Sequence, residues 1–200
     1  MEFCAVCRAS ISLSTKLCTS CRDKLNNENL TLPIRKEKFL TRSLYSWAEN
    51  DNFLSTIVYS LKGRRSNGLC EFFCRNMSMM FGDLNKRYCF VFVESSTYGK
   101  DSHGMNLAKN LGMFFRAPIM YIPFSQKSGS QKLKNIEDRA KVTCKKSFYT
   151  DLIGPVDYVF VDDVVTTGAT SMAVFRGLGF PQRYQVWSVF DRPIRDCSAS

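Results

Sequence analysis

The sequence lacks long apolar runs. No stretch among its 200 residues approaches the ~18 consecutive apolar residues that a bilayer-spanning helix requires. The opening MEFCAVCRAS has no apolar core of a secretory signal and carries an acidic second residue. We therefore expect a cytoplasmic protein without membrane insertion. Internal repeats and low-complexity tracts are also absent, and a hydrophobic share of 44% favours a packed domain with a small appendage over a disordered chain.

Histidine and acidic residues are both scarce. His103 is the only histidine, and it lies far along the chain from the paired cysteines near the N-terminus, so a metal site there would have sulfur ligands only. The 28 Lys and Arg outnumber the 18 Asp and Glu, giving a net charge of +10. This charge favours polyanionic partners such as nucleotides, phosphates or nucleic acid, although a basic surface without a particular partner is the alternative.

Four of the cysteines form two CxxC pairs with the pattern Cys4-x2-Cys7-x10-Cys18-x2-Cys21. Each pair supplies one knuckle, and two knuckles complete a tetrahedral thiolate site for zinc. An all-sulfur site is closed to substrate, so a structural role is expected. A pair of disulfides, a redox CxxC and an iron–sulfur site are the alternatives. The remaining cysteines are expected to be reduced thiols: Cys70, Cys74, Cys89, Cys144 and Cys197.

After the cysteine pairs, strand-like and helix-like segments alternate. This order predicts an α/β fold with a parallel sheet flanked by helices in residues 32–200, preceded by a zinc-binding finger in residues 1–31. Strands are predicted at YCFVFV, PIMYI, DYVFV and YQVWSVF, and helical periods occur around 53–61, 69–81, 107–115 and 168–178. Asp51 or Asn52 is expected to cap the first of these helices. The basic segment 30–43 is expected to be a linker or an edge element.

The stretch VFVDDVVTTGAT, residues 159–170, has the most specific chemistry. Asp162 and Asp163 follow a strand predicted at 157–161, and ligands of parallel sheets bind beyond the carboxyl ends of the strands. The next turn enters a helix, whose N-terminal N–H groups suit a phosphate. Gly168 lets the backbone approach an anion, and threonine hydroxyls add donors. A ribose 5-phosphate fits both halves of this pattern, whereas helix capping or a salt bridge is the alternative role for Asp162.

The same stretch resembles the phosphoribosyl pyrophosphate (PRPP) binding motif of type I phosphoribosyltransferases: an apolar strand, two acidic residues and Thr-Thr-Gly-x-Thr. The resemblance implies a type I phosphoribosyltransferase-like fold and Mg²⁺ bound together with PRPP. It also implies that Asp162 and Asp163 bind the ribose hydroxyls. The residues implied to cradle the 5-phosphate are Val165, Thr166, Thr167, Gly168, Ala169 and Thr170.

A tetracysteine head before such a domain resembles the ComF/ComFC family, the competence proteins of natural transformation. The stretches LYSWAENDNFLSTIVYSLKGRR, SGSQKLKNIEDRAKV and FRGLGFPQRYQVWSVFDR agree with that family as well. The resemblance implies a DNA-uptake protein that binds PRPP-type ligands and single-stranded DNA, in company with DNA-uptake and recombination proteins. One part departs from the family, whose Pro-Val-Pro and Arg-Gly-Phe-Asn-Gln stretches are replaced here so that only Gly104 and Asn106 agree.

Two functions compete with this one. The first is an active phosphoribosyltransferase on an unknown acceptor, in which Mg²⁺ neutralises the leaving pyrophosphate. The second is a PRPP-responsive sensor or adaptor. Basic patches interleaved with aromatic residues are compatible with single-stranded DNA, although most such aromatics belong to hydrophobic cores.

Other residues are weaker candidates for chemistry. His103 could be an acid, a base or a phosphate contact, but an exposed loop position is expected for it. Glu94 could join the ribose or magnesium environment, or act as a cap. Segment 125–139 is a candidate lid over the pyrophosphate, with an ordinary solvated helix as the alternative. The lid candidates are Lys127, Lys132, Lys134 and Arg139.

Overall fold

A computed structural model of the chain describes residues 2–11, 17–28, 34–36, 38–48, 51–63, 67–93, 103–123 and 155–192. Near the N-terminus two short strands pair antiparallel, β1 (Glu2–Phe3) and β2 (Ser10–Ile11). The main sheet contains β3 (Ile34–Lys36), β4 (Leu40–Ser46), β5 (Tyr88–Val93), β6 (Ile119–Ile122), β7 (Asp157–Val165) and β8 (Tyr184–Asp191). The helices are α1 (Thr19–Glu28), α2 (Asn52–Leu61), α3 (Asn67–Phe81), α4 (His103–Phe115) and α5 (Ala169–Gly177).

The six strands of the main sheet lie in the order β3-β4-β8-β7-β5-β6. The five strands from β4 to β6 run parallel, and only β3 is antiparallel, at one edge. The predicted α/β fold with a parallel sheet flanked by helices is therefore confirmed, and segment 30–43 contributes the expected edge element. Within the described residues, no helix is both long and apolar enough to cross a membrane.

Each face of the sheet carries its own hydrophobic core. On one face, α2, α3 and α4 cover a large aromatic cluster that contains Phe90 and Trp187. On the other face, α5 packs over a smaller cluster that contains Phe160 and Val174. Burial of the sheet on both faces explains why the sequences of the central strands β5 and β8 show no polar alternation.

Alternation along β7 decides which way its carboxylates point. Val159 and Val161 belong to the core under α3 and α4, whereas Phe160 belongs to the core under α5. Since side chains alternate across a strand, Asp163 shares the face of Val161, and Asp162 shares the face of Phe160. The alternation stops at the acids, because Val164 packs against the core of Val161 and Val165 belongs to the core of Phe160. The Asp162 carboxylate turns back and accepts a hydrogen bond from the Asp163 N–H, so the two acids stay close together.

The strand β7 is longer than the predicted 157–161. Its ladder with β8 continues past the acids, because Val164 pairs with Phe190 and Val165 pairs with Asp191. Asp162 and Asp163 consequently lie inside the strand and not beyond its end. Aspartate is disfavoured in strands, so a propensity argument ends the strand too early, whereas pairing with a neighbouring strand extends it.

Helix α2 connects the cysteine-rich segment to the sheet. Its predicted cap is Asp51, whose carboxylate accepts a hydrogen bond from the Leu54 N–H at 2.9 Å. The hydroxyl of Ser60 donates to the carbonyl oxygen of Ala5 at 3.1 Å, so the first cysteine knuckle contacts this helix. Helix α2 ends at Leu61, with Lys62 as its C-cap residue. The division of the chain at residue 31 stays a prediction.

Burial of α2 can be tested with one substitution made at two positions. Leu54 is fully buried, so Leu54→Ala should lower the free energy of unfolding by about 2–5 kcal/mol through lost contacts and a cavity. Leu84 is 81% exposed, and Leu84→Ala should change the same quantity by less than about 0.5 kcal/mol. Denaturant unfolding followed by circular dichroism measures both values. Equal losses in the two variants would contradict the described packing.

Candidate functional site

Asp163 lies where three elements meet: the carboxyl end of β7, the C-terminus of α2 and the N-terminus of α4. Its side chain is only 6% exposed. The Lys62 Nζ lies 3.3 Å from Asp163 Oδ2, and the His103 Nε2 lies 3.4 Å from Oδ1. Oδ2 accepts no hydrogen bond from any described residue, despite the ion pair with Lys62. It therefore has the capacity to accept one from a bound ligand.

The two aspartates have opposite electrostatic environments. Burial, together with the charge of Asp163, raises the pKa of Asp162 well above its usual value. Burial alone would raise the pKa of Asp163 too, but the hydrogen bond and charge of His103 and the charge of Lys62 outweigh it and lower that pKa. The Asp162 Oδ1 also accepts a hydrogen bond from the Asp163 N–H at 2.9 Å. At neutral pH the ionised member of the pair is therefore Asp163.

The expected exposed loop position of His103 is wrong. His103 is the first residue of α4, its side chain is only 23% exposed, and it contacts Asp163. Burial would lower the pKa of His103, but its hydrogen bond with Asp163 and the charges of both aspartates raise it. The helical period around 107–115 was the available signal, because it follows the only histidine closely. Only the tertiary structure shows that α4 already begins at His103 and lies beside β7.

The turn between β7 and α5, residues 166–168, has the geometry of a helix entry. Gly168 is the residue before α5 and has a left-handed backbone, with φ 71° and ψ 7°. A Cβ there would meet nothing within 4 Å, so the glycine is required by backbone conformation and not by lack of space. The Ala169 N–H donates to Thr167 Oγ1 at 3.2 Å, and Thr170 lies in the first turn of α5.

The β7–α5 turn is anchored by residues that sequence reasoning missed. Arg35, on the edge strand β3, donates from Nη1 to the carbonyl oxygen of Thr166 at 2.6 Å and forms an ion pair with Asp191. The Arg192 N–H donates to the carbonyl oxygen of Val165 at 2.8 Å. The sequence showed Arg35 only as one of several cations in a basic segment. Strand β3 must pair at the sheet edge before its side chain can reach this turn.

The four cysteines of the two CxxC pairs come together. Their Sγ atoms all lie within 4.8 Å of one another, and Cys7 Sγ lies 3.5 Å from Cys18 Sγ. Tetrahedral zinc with Zn–S bonds of about 2.3 Å requires S···S separations of about 3.8 Å, so the cluster fits this ion. The described cysteines are free thiols.

The cluster also favours a thiolate. Burial would raise the pKa of Cys4, but hydrogen bonds from the backbone around Cys18, Cys7 and Val6 outweigh it and lower the pKa to about 6. A thiolate at neutral pH is the form that binds a metal ion. Burial and neighbouring thiols raise the pKa of Cys21, and bound zinc would supply the charge that overcomes this.

Some of the site residues predicted from the sequence lie within the described part of the chain, and others lie outside it. The acid pair, the turn residues 165–170 and the four CxxC cysteines are described. Of the cysteines expected to be reduced, Cys70, Cys74 and Cys89 are buried, and none of the three is disulfide-bonded. Predicted residues outside the described ranges are Lys127, Lys132, Lys134, Arg139, Glu94, Cys144 and Cys197.

No family model and no curated protein matches the chain. Among solved structures it is similar to an adenine phosphoribosyltransferase from Saccharomyces cerevisiae, with 16% identity and a TM-score of 0.42 over 87% of this chain and 89% of that one. A hypoxanthine phosphoribosyltransferase from Staphylococcus aureus shows 14% identity and a TM-score of 0.40, over 64% of this chain and 73% of that one. A hypoxanthine phosphoribosyltransferase from Trypanosoma cruzi, in complex with the product IMP, shows 13% identity and a TM-score of 0.40, over 61% of this chain and 63% of that one. Similarity at this level carries no argument about chemistry, which has to come from the residues of this chain.

The contact between His103 and Asp163 predicts an elevated histidine pKa. Because the sequence has one histidine, its ring protons give a single NMR titration. We expect a pKa above 6.5 in the wild type. In Asp163→Asn the pKa should fall, since burial and the charge of Lys62 then oppose the imidazolium. Asp157→Asn, at the other end of β7, is the control and should leave it unchanged.

The pKa shifts of His103 and Asp163 determine how the stability of the fold depends on pH. The raised pKa of His103 contributes stability that is present below pH 6.5 and is lost as the pH rises through the folded-state pKa. The lowered pKa of Asp163 contributes stability that is present above about 3.8 and is lost as the pH falls through the folded-state pKa. An unshifted histidine in the wild type would contradict the described contact.

The cysteine cluster predicts about one tightly held zinc ion per chain, measurable by elemental analysis of the purified protein. Cys7→Ser and Cys18→Ser should each lose the zinc, because a hydroxyl is a poor substitute for a thiolate ligand. Cys89→Ala is the matched control, since Cys89 is buried in β5 away from the cluster. Zinc retained by both cluster variants, or absent from the wild type, would rule out this role.

Proposed function

We propose that the protein binds PRPP, or a closely related phosphoribosyl compound, at the carboxyl edge of β7. The observation that carries the proposal is the direct succession of a carboxylate pair in β7, of which Asp163 is buried, a left-handed glycine turn and a helix N-terminus. The acids and the turn are separated by only two residues, Val164 and Val165. Two residues of strand span roughly 7 Å, which is short enough for a single ribose 5-phosphate to reach both groups.

The two halves of the site suit different parts of such a ligand. Asp163 is ionised, and its buried Oδ2, which is ion-paired with Lys62 but accepts no hydrogen bond from a described residue, can accept one from a ribose hydroxyl when Lys62 moves aside. The raised pKa of Asp162 lets this carboxyl change its protonation state when a hydroxyl or a cation approaches. The hydroxyls of Thr166 and Thr167 and the backbone N–H groups at the start of α5 supply donors for a phosphate.

Cations near the acid pair complete the electrostatic argument. Lys62 is 39% exposed at its side chain, so it can turn from Asp163 toward a bound pyrophosphate group. Mg²⁺ that enters with PRPP would neutralise further charge on that group. The acidic pair thus supports the sugar, while Lys62 and the ion offset the phosphates.

A finer proposal concerns the biological role. We propose that the protein acts in cytoplasmic DNA uptake, binds single-stranded DNA through its basic surface and uses zinc as a structural element. Support comes from the resemblance to the ComF/ComFC family, the tetracysteine cluster before a PRPP-type motif and the net charge of +10. Such DNA binding should weaken steeply as salt increases.

The PRPP site can be tested by calorimetry in the presence of Mg²⁺. Asp162→Asn and Asp163→Asn should each weaken PRPP binding by about tenfold or more, because each removes an ionisable acceptor from a buried site. Asp157→Asn is the matched control: it removes a carboxylate from the other end of the same strand and should leave the affinity unchanged. No detectable PRPP binding by the folded wild type would refute the proposal.

The same samples separate the competing functions. Steady pyrophosphate release that both aspartate variants abolish would establish an active transferase. Saturable PRPP binding without release would favour a sensor. Salt-dependent binding of a labelled single strand that the variants leave unchanged would place the DNA site apart from the phosphoribosyl site.

A further inference from the structure

We infer that Arg35 is a positioning residue for the β7–α5 turn: it orients the Thr166 peptide so that the turn presents N–H groups to a phosphate. The inference rests on the proposed function and adds to it a residue from a distant part of the chain. Arg35 lies 131 positions before Thr166, and no motif connects the two.

The guanidinium of Arg35 contacts two different elements at once. Its Nη1 donates to the Thr166 carbonyl oxygen at 2.6 Å, and its Nη2 pairs with the Asp191 carboxylate at the end of β8. Asp191 is 5% exposed and lies opposite Val165 in the β7–β8 ladder. The cation is therefore held by a buried carboxylate on the strand beside the turn. A planar guanidinium suits such a bridge, because its donors point in fixed directions.

Two successive carbonyl groups are held at the base of the turn. The Val165 carbonyl accepts from the Arg192 N–H at 2.8 Å, and the Thr166 carbonyl accepts from Arg35. In a trans peptide the C=O and the following N–H point in opposite directions. Anchoring these carbonyls therefore turns the N–H groups of Thr166 and Thr167 away from β3 and β8. Successive N–H groups that point to one side form an anion-binding concavity.

This arrangement also changes the interpretation of the basic segment. Both terminal nitrogens of Arg35 are engaged within the protein, so this residue is not a free contact for a nucleic-acid backbone. Lys38, three positions along, is exposed and forms no ion pair or side-chain hydrogen bond with another residue that the structure describes. The two cations have similar charge and neighbouring positions but different surroundings, which makes them a matched pair for mutation.

The test compares wild type, Arg35→Ala, Arg35→Lys and Lys38→Ala with ribose 5-phosphate as the probe. By calorimetry, Arg35→Ala should weaken binding by about tenfold or more, and Arg35→Lys should fall between it and the wild type, because lysine can satisfy only one acceptor. Lys38→Ala should bind within about twofold of the wild type. Thermal unfolding of each variant identifies a general loss of stability, in which case Arg35→Lys alone decides the question.

A second measurement needs no ligand. In ¹⁵N–¹H spectra, Arg35→Lys should shift the amide signals of Thr167 and Gly168 and leave those of α3 in place. Unchanged turn signals, or wild-type affinity in both Arg35 variants, would overturn the inference. Failure of the wild type to bind any phosphoribosyl probe would instead refute the proposed function, and the amide signals would still report on Arg35.

Discussion

Burial of the Asp163 carboxylate is the constraint on which the rest of the site depends. An ionised carboxylate removed from water costs several kcal/mol unless opposite charge and hydrogen bonds compensate. Here the compensation comes from Lys62 and His103, one at the end of α2 and one at the start of α4. The ends of two helices are thereby tied to one strand residue. The same burial raises the pKa of Asp162, whereas the neighbouring cations lower that of Asp163. Asp163 is therefore an ionised acceptor, and Asp162 beside it is a carboxyl that can change its protonation state.

The two halves of the candidate site are supported from opposite sides. The acid half is held by helices that cover one face of the sheet, whereas the β7–α5 turn is held by Arg35 and by the last residues of β8. The Trp47 N–H donates to the Asp191 carbonyl at 2.8 Å, and the Arg192 guanidinium lies 4.8 Å from the Trp47 ring centroid. The antiparallel edge strand β3 also has a role at the site, because it carries Arg35, the cation that binds the Thr166 carbonyl oxygen in the turn.

The cysteine cluster is connected to this site through α2. Buried residues of the N-terminal segment, among them Cys4 and Leu25, belong to the same hydrophobic core as the buried face of α2. The hydrogen bond from Ser60 to Ala5 adds a polar contact near the end of that helix, two residues before Lys62. A metal ion that orders the cysteine segment would thus stabilise the surface against which the Lys62-bearing helix packs, which is a structural role far from the chemistry.

The sequence alone determined the local chemistry: the CxxC spacing, the strand and helix order, the acid pair, and the glycine turn into a helix. These are contiguous patterns, and contiguous residues stay neighbours in any fold. The tertiary structure decided what comes from elsewhere. His103, expected in an exposed loop, begins α4 beside Asp163. Lys62 and Arg35 stood out in the sequence only as members of longer basic stretches, and both are ion-paired to buried carboxylates. The strand β7 runs past its acids because β8 pairs with it. Such contacts join residues up to 156 positions apart and exist only after the parallel sheet has formed, so no local pattern could encode them.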